Sequence, residues 1–547
     1  MRLLDKFSHL RFFSLWLIFL LISLLFFGQS LNNFFASDDF HWLVIARDTQ
    51  WSWQIFFTNY EGGHVGGSYN PLLVIIFKLF YQLFSTNYFV YHLASLLFHS
   101  INGLLVYILA NKIFDLTGIK NKGYSLVAAL LFLLYPIHVE AIAWIAAWPH
   151  LLVTIFYLLA LINYFVFKDS GRKITLLYSF IFFILALLIK EIAISLPFLI
   201  LIWEVYFYSL KNNKRLPFYY LAFYFVIWLL FLALRYLFIG LIFGYYGASS
   251  LKFSLVNLVS NILPFFGDFL TWGFLRNVLY RGLYQYADLV AIVIMAGLAG
   301  YFFILLTKKK YQQFVGLGSL FLMLAPVLIV GLHRTTFAGE RYLYLPSVFF
   351  IIWILFLLQQ INWSFKAVSS ALVVFILLSF SVVYYKIDIW NQASDLSQQI
   401  VVSYSDLEIK SRQSLISIAL PDNLSGAEVF RNNLQQALEI YYPNNYPMIS
   451  STQAYLEVNR DNKNNQLLKW RQDTLGWFGE SVDGSFVVTG ITSIASGGLY
   501  WELWNYNYQN YQANLIRLMP ESDLKVELES GQTKILIFDR GVLKILP

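Results

Sequence analysis

The sequence predicts a polytopic α-helical membrane protein with a C-terminal soluble α+β domain, and three observations predict it. Of 547 residues, 59% are hydrophobic and only 13% are charged, against about 25% charged in an ordinary soluble domain. Apolar stretches close to the length of a bilayer crossing, about 20 residues, return again and again up to residue 385. After Trp390 the composition turns to Asn, Gln, Ser and Asp mixed with short β-prone runs. The chain has no cysteine, which excludes disulfides, thiolate nucleophiles and zinc-thiolate sites together.

Eleven spans are expected, near residues 12–30, 88–109, 124–137, 150–167, 175–189, 192–208, 217–240, 286–306, 312–331, 342–360 and 367–385. The first follows Arg2, Lys6 and Arg11, is long, and lacks a small-x-small site at its end, so it reads as an uncleaved helix rather than a signal peptide. Basic residues gather at Lys112, Lys120 and Lys122, at Lys168, Arg172 and Lys173, at Lys211, Lys214 and Arg215, at Lys308 to Lys310, and at Lys366. Each group follows an even-numbered span. The positive-inside rule therefore predicts a cytoplasmic N-terminus, an extracytoplasmic C-terminal domain and a multi-pass protein of the cell membrane. The net charge of +7 is then chiefly a topology signal, and no nucleic-acid role is expected.

The spans at 124 and 175 are short and end in polar residues, which suits helices opening into a protein-lined cavity. Residues 71–84 are too short to cross and suit a helix lying in the interface; 241–285 reads the same way. In the soluble domain, residues 391–547, β-prone runs lie at 414–420, 485–489 and 534–538. A hairpin is expected from Lys534 to Leu546 around Asp539-Arg540-Gly541, and a helix from Gly426 to Tyr441. The aromatics Tyr500, Trp501, Trp504, Tyr506 and Tyr508 suit a β core better than a glycan platform.

Polar residues at the ends of membrane helices are costly to place there, so they are the first functional candidates. Asp38 and Asp39 follow the first span among aromatics. Repulsion and partial burial favour a proton on one of them, which suits a general base or a cation site; the plainer alternative is a helix N-cap. His138 and Glu140 flank the exit of the third span, and Lys190-Glu191 ends the fifth, as either a ligand pair or an internal ion pair. His333, Arg334, Glu340 and Arg341 concentrate charge after the ninth. Arginine grips phosphate with two parallel N–H donors, so a lipid phosphate is a natural ligand there, with interface anchoring as the alternative. A carboxylate base together with cations is what glycosyl transfer from a lipid phosphate requires. A transporter or flippase of lipid-linked saccharides would instead spread charge through helix centres and show two similar halves. The charge gathers at helix ends, with Arg235 a partial exception, and no internal repeat is visible.

In order along the chain stand Asp38-Asp39, Asn70-Pro71-Leu72, Tyr91-His92-Leu93 with His99 and Asn102, Tyr135-Pro136-Ile137-His138-Val139-Glu140-Ala141-Ile142-Ala143-Trp144, Lys190-Glu191, and Glu340-Arg341-Tyr342-Leu343-Tyr344-Leu345-Pro346-Ser347. This series resembles the membrane portion of the transmembrane, tetratricopeptide-repeat O-mannosyltransferases and their bacterial relatives, of the GT-C superfamily, over roughly residues 1–390. The resemblance implies a GT-C fold and an inverting transferase using a polyprenyl-phosphate sugar donor. It implies a first-loop aspartate, Asp38 or Asp39, as base, and a glycan, lipid or protein acceptor. It leaves open a divalent cation on Asp38 and Asp39, since some members use one and others do not. The chain departs from the pattern at Asn70, where the family usually has arginine, and at Ala147-Trp148-Pro149-His150, where it usually has a Gly-Arg pair and an acidic residue. No 34-residue helical period follows residue 390.

Overall fold

The structure, a computed structural model, describes residues 2–60, 67–119, 121–211, 218–240, 242, 264–274, 287–328, 336–407, 409, 413–451, 454–458, 468–473, 476–481, 485–488, 493–496, 499–504, 512–513, 515–539 and 542–546. The chain forms two compact units. The first comprises Met1–Gly28, Thr49–Phe80 and Val90–Lys386; the second comprises Gln29–Asp48, Tyr81–Phe89 and Ile387–Pro547.

Helices lie at all eleven expected stretches. Among the described residues, eight are long and apolar enough to cross a membrane, or nine if one bent pair counts as a single span. The bent pair is the stretch expected at 124. Its first helix, α5 (Gly123–Leu133), stops two residues before Pro136. Proline disfavours helical backbone at the residue before it, and Tyr135 is extended, with φ −76° and ψ 119°. The chain resumes through Pro136–His138 into α6 (Val139–Ala143), bent by 46° from α5. The stretch at 175 is α8 (Lys173–Leu187), which at 15 residues is short, as is α3 (Pro71–Phe84) at 14. Of the 241–285 region, only 242 and 264–274 lie within the described residues.

In the first unit, α4 (Tyr88–Thr117) approaches α5 closely because residue 103 is glycine; a Cβ there would lie 2.4 Å from a Leu133 methyl. Next in the chain, α7 (Trp148–Ser170) packs along α8. The Trp148 ring at its start is fully buried among Phe77, Phe80, Tyr91 and Phe98, and its N–H donates to Ser95 Oγ at 2.8 Å. That ties the N-terminus of α7 to α3 and α4 and fixes the residues just before it, 139–147.

The second unit holds α2 (Asp38–Asp48) and three sheets. In the four-stranded sheet, β1 (Ser414–Ser417) lies parallel to both β4 (Met448–Ser451) and β13 (Thr533–Asp539). The expected C-terminal hairpin is present, β13 pairing antiparallel with β14 (Val542–Ile545). The expected helix from Gly426 is corrected. Ser425 and Gly426 take positive φ, 53° and 101°, and turn the chain so that Ala427–Glu428 pairs back on Asn423–Leu424. Two consecutive positive-φ residues make the tight hairpin turn that glycine favours, and helix begins only at Leu434, as α15 (Leu434–Tyr441). Tyr500, Trp501 and Trp504 lie on β10 (Leu499–Trp504), which is paired on both sides; Tyr506 and Tyr508 lie outside the described residues.

Candidate active site

The two aspartates open α2 but are held differently. Asp39 is 2% exposed, and its Oδ2 accepts the backbone N–H of Ala36 at 2.9 Å. A carboxylate in the first turn of a helix is favoured by the exposed N–H groups there, and here it also reaches back to fix the entering loop. Ser37, with φ 48°, makes the sharp entry. Asp38 is half-buried, and its Oδ1 accepts the side-chain amide of Asn433 at 2.8 Å. One turn further on, burial lowers the pKa of His41 against the opposing pull of the Asp38 charge. Among the described residues no three His, Asp or Glu side chains gather in a way that could hold a metal ion. The two carboxylates, one turned to a backbone amide and the other to Asn433, do not form a ligand set by themselves.

A second cluster lies in the first unit, where the Gly339 turn meets α6. Glu140 is buried and accepts three donors: the backbone N–H of Gly339 at 3.1 Å, that of Arg341 at 2.7 Å, and the Arg341 guanidinium. Gly339 has φ 94°, a backbone that side chains rarely tolerate. The guanidinium lies 4.8 Å from the Trp144 ring and 4.7 Å from the Tyr342 ring, and donates to the Tyr342 hydroxyl at 3.3 Å. The Lys190 ammonium and the His150 ring approach the same Tyr342 ring at 6.0 and 5.3 Å. Tyr342 is therefore the common neighbour of Arg341, Lys190 and His150. Guanidinium carries five N–H donors, and the Arg341 side chain, 19% exposed, is partly open to the surface.

The other expected residues part from this cluster. Glu340, adjacent to Arg341 in sequence, bonds instead to the Lys386 ammonium, 2.7 Å from both carboxylate oxygens, a pair 1% and 3% exposed. Glu191 pairs with Arg235 rather than with Lys190, so the internal-pair alternative for Lys190-Glu191 is corrected. His138 is fully buried; its Nε2 meets Ser347 Oγ at 2.9 Å and its ring packs on Phe132 and Tyr344. The Tyr344 hydroxyl in turn meets His99 Nδ1 at 2.7 Å and the Asn102 amide at 3.3 Å. His138 thus belongs to a buried polar network between helices. His333 and Arg334 lie outside the described residues. Sequence reading missed Tyr342 and Lys386 as partners, and met His150 only as a departure from a family pattern. The legible signal for Lys386 was a lone lysine closing an apolar span.

These features define a multi-pass helical membrane protein with strands in its C-terminal region and with ionisable side chains concentrated at the ends of its helices. It is similar to protein O-mannosyl-transferases. Human "Protein O-mannosyl-transferase TMTC1" is 30% identical over 211 residues, 35% of this chain and 24% of that protein. Mouse TMTC4 is 28% identical over 170 residues, 28% of this chain and 23% of the relative, and human TMTC3 is 32% identical over 142, or 25% and 15%. The chain spans about a quarter of the length of the curated relatives that head this comparison. No protein-family profile matches it. Among solved structures, an archaeal oligosaccharyltransferase, AglB from Archaeoglobus fulgidus, aligns over 81% of this chain and 65% of its own, with 13% identity and a TM-score of 0.40.

Proposed function

We propose that the protein is a GT-C glycosyltransferase that moves one sugar from a polyprenyl-phosphate donor to an acceptor hydroxyl at the outer face of the membrane, with inversion. The observation that carries this reading is the similarity to the O-mannosyl-transferases; the aspartate pair at the start of α2 supplies the base. Asp38 is the base. Asp39 is engaged with a loop amide, whereas Asp38 has one oxygen held by a neutral donor and is half-buried. In the transfer Asp38 accepts the acceptor hydroxyl proton, the freed oxygen bonds to the anomeric carbon from the face opposite the phosphate, and the bond from that carbon to the phosphate oxygen breaks. The electron pair leaves with the polyprenyl phosphate. The acceptor, in this reading, is a glycan, lipid or protein.

The test uses membranes containing the full chain, supplied with radiolabelled polyprenyl-phosphate mannose. Asp38→Asn abolishes incorporation into membrane acceptors, whereas Asp39→Asn lowers it together with the amount of folded protein. Wild-type turnover in Asp38→Asn would remove the base assignment. A labelled donor that changes leaflet without losing its sugar would instead favour a flippase.

A further inference from the structure

Asp38 and Asn433 are 395 residues apart in the chain yet meet within the second unit, Nδ2 to Oδ1 at 2.8 Å. We infer that Asn433 is the positioning residue for Asp38: its amide aims the carboxylate without neutralising it. This rests on Asp38 being the base. Asn433 has a left-handed backbone, φ 69° and ψ 23°, just before α15, a conformation that asparagine tolerates better than most side chains. The segment before it is tied down at three points. The Val429 carbonyl accepts the Ser37 N–H at 2.9 Å, the Phe430 ring stacks on Phe40 at 5.6 Å and 8°, and Arg431 bonds to both oxygens of buried Asp422 at 2.5 and 2.6 Å. At the other end of α2, Arg47 pairs with Glu439 on α15. The region 429–439 therefore grips α2 at both ends and sets one amide against its first carboxylate.

The choice of asparagine matters chemically. A lysine or arginine would stabilise the charged carboxylate and weaken it as a base, and a second carboxylate would repel it. A neutral amide fixes one oxygen and leaves the other to receive the acceptor proton. On this account the soluble C-terminal region contributes directly to the geometry of the reaction.

The experiment compares Asn433→Gly with wild type and Asp38→Asn, in membranes supplied with radiolabelled polyprenyl-phosphate mannose and after purification in detergent. Glycine keeps the left-handed backbone without strain and removes only the amide. The expected result is a kcat lower by about 10- to 100-fold, the scale set by a misplaced catalytic group, with KM for the donor and the melting temperature unchanged. Added to Asp38→Asn, the substitution has no further effect. Wild-type kcat in Asn433→Gly would overturn the inference while leaving the base assignment intact. A fall in kcat accompanied by a higher KM and a lower melting temperature would also overturn it, as the mark of a purely structural contact. Full activity in Asp38→Asn would remove the base reading and this inference with it.

Discussion

Replacing Glu140 by alanine tests how the cation cluster is held. The carboxylate is buried and satisfies the N–H groups of Gly339 and Arg341, at 3.1 and 2.7 Å, and the Arg341 side chain. Removing it leaves two backbone donors without an acceptor, each costing about 1–3 kcal/mol. The Arg341 guanidinium, being 19% exposed, recovers part of its loss in water, so the ion pair adds at the low end of its range. The sum is about 2–6 kcal/mol, which brackets the roughly 3–5 kcal/mol lost when one partner of a buried pair is removed. At about 2–4 °C per kcal/mol for a domain of 150–250 residues, and less for a longer chain, the melting temperature in detergent falls by several degrees. Intrinsic tryptophan fluorescence reports it well, because Trp144 lies under the Arg341 guanidinium. Glu140→Gln, which keeps one carbonyl acceptor, loses about half as much. An alanine variant that melts with wild type would refute the view that Glu140 anchors the Gly339–Arg341 turn.

Lys386→Met removes the ammonium that bonds both oxygens of the buried Glu340 carboxylate and costs about 3–5 kcal/mol, whereas the double variant with Glu340→Gln recovers most of that; thermal unfolding of the three proteins checks it, and equal destabilisation of single and double variants would count against it. His41 carries a pH dependence whose sign follows from its environment. Burial lowers its pKa below 6.5, the Asp38 charge opposing, so the folded state takes up the proton later than the unfolded one as pH falls. Its contribution to stability is complete above about 6.5 and is lost as pH falls toward the folded pKa. In His41→Gln the drop in melting temperature between neutral and mildly acidic buffer is therefore smaller than in wild type, and an equal drop would contradict this account.

Much of the architecture was legible in the chain itself. A bilayer requires apolar runs of a set length, so hydropathy located a helix at each of the eleven stretches. The apolar runs around Asp539-Arg540-Gly541 signalled the last hairpin, whereas the break before Pro136 fell inside the span expected at 124–137. Where a local signal was ambiguous, reading was less exact: the apolar and polar residues from Gly426 onward suit a helix, but two positive-φ residues make a turn there first.

The sequence alone determined which residues are too polar to be idle, because burying charge in or near a membrane is costly wherever the helices end up. Only tertiary structure decided what each of them does. Glu140 and Arg341 are 201 residues apart, and Glu340 and Lys386 are 46 apart. Neighbours in sequence, Glu340 and Arg341, or Lys190 and Glu191, turn to different partners. The physical reason is that burial is a property of a stretch of chain, readable from its composition, whereas a hydrogen bond a few ångströms long depends on which stretches pack together. The same distinction separates Asp38 from Asp39: identical side chains at adjacent positions, one closing its own helix entry and the other met by an amide from the far end of the chain.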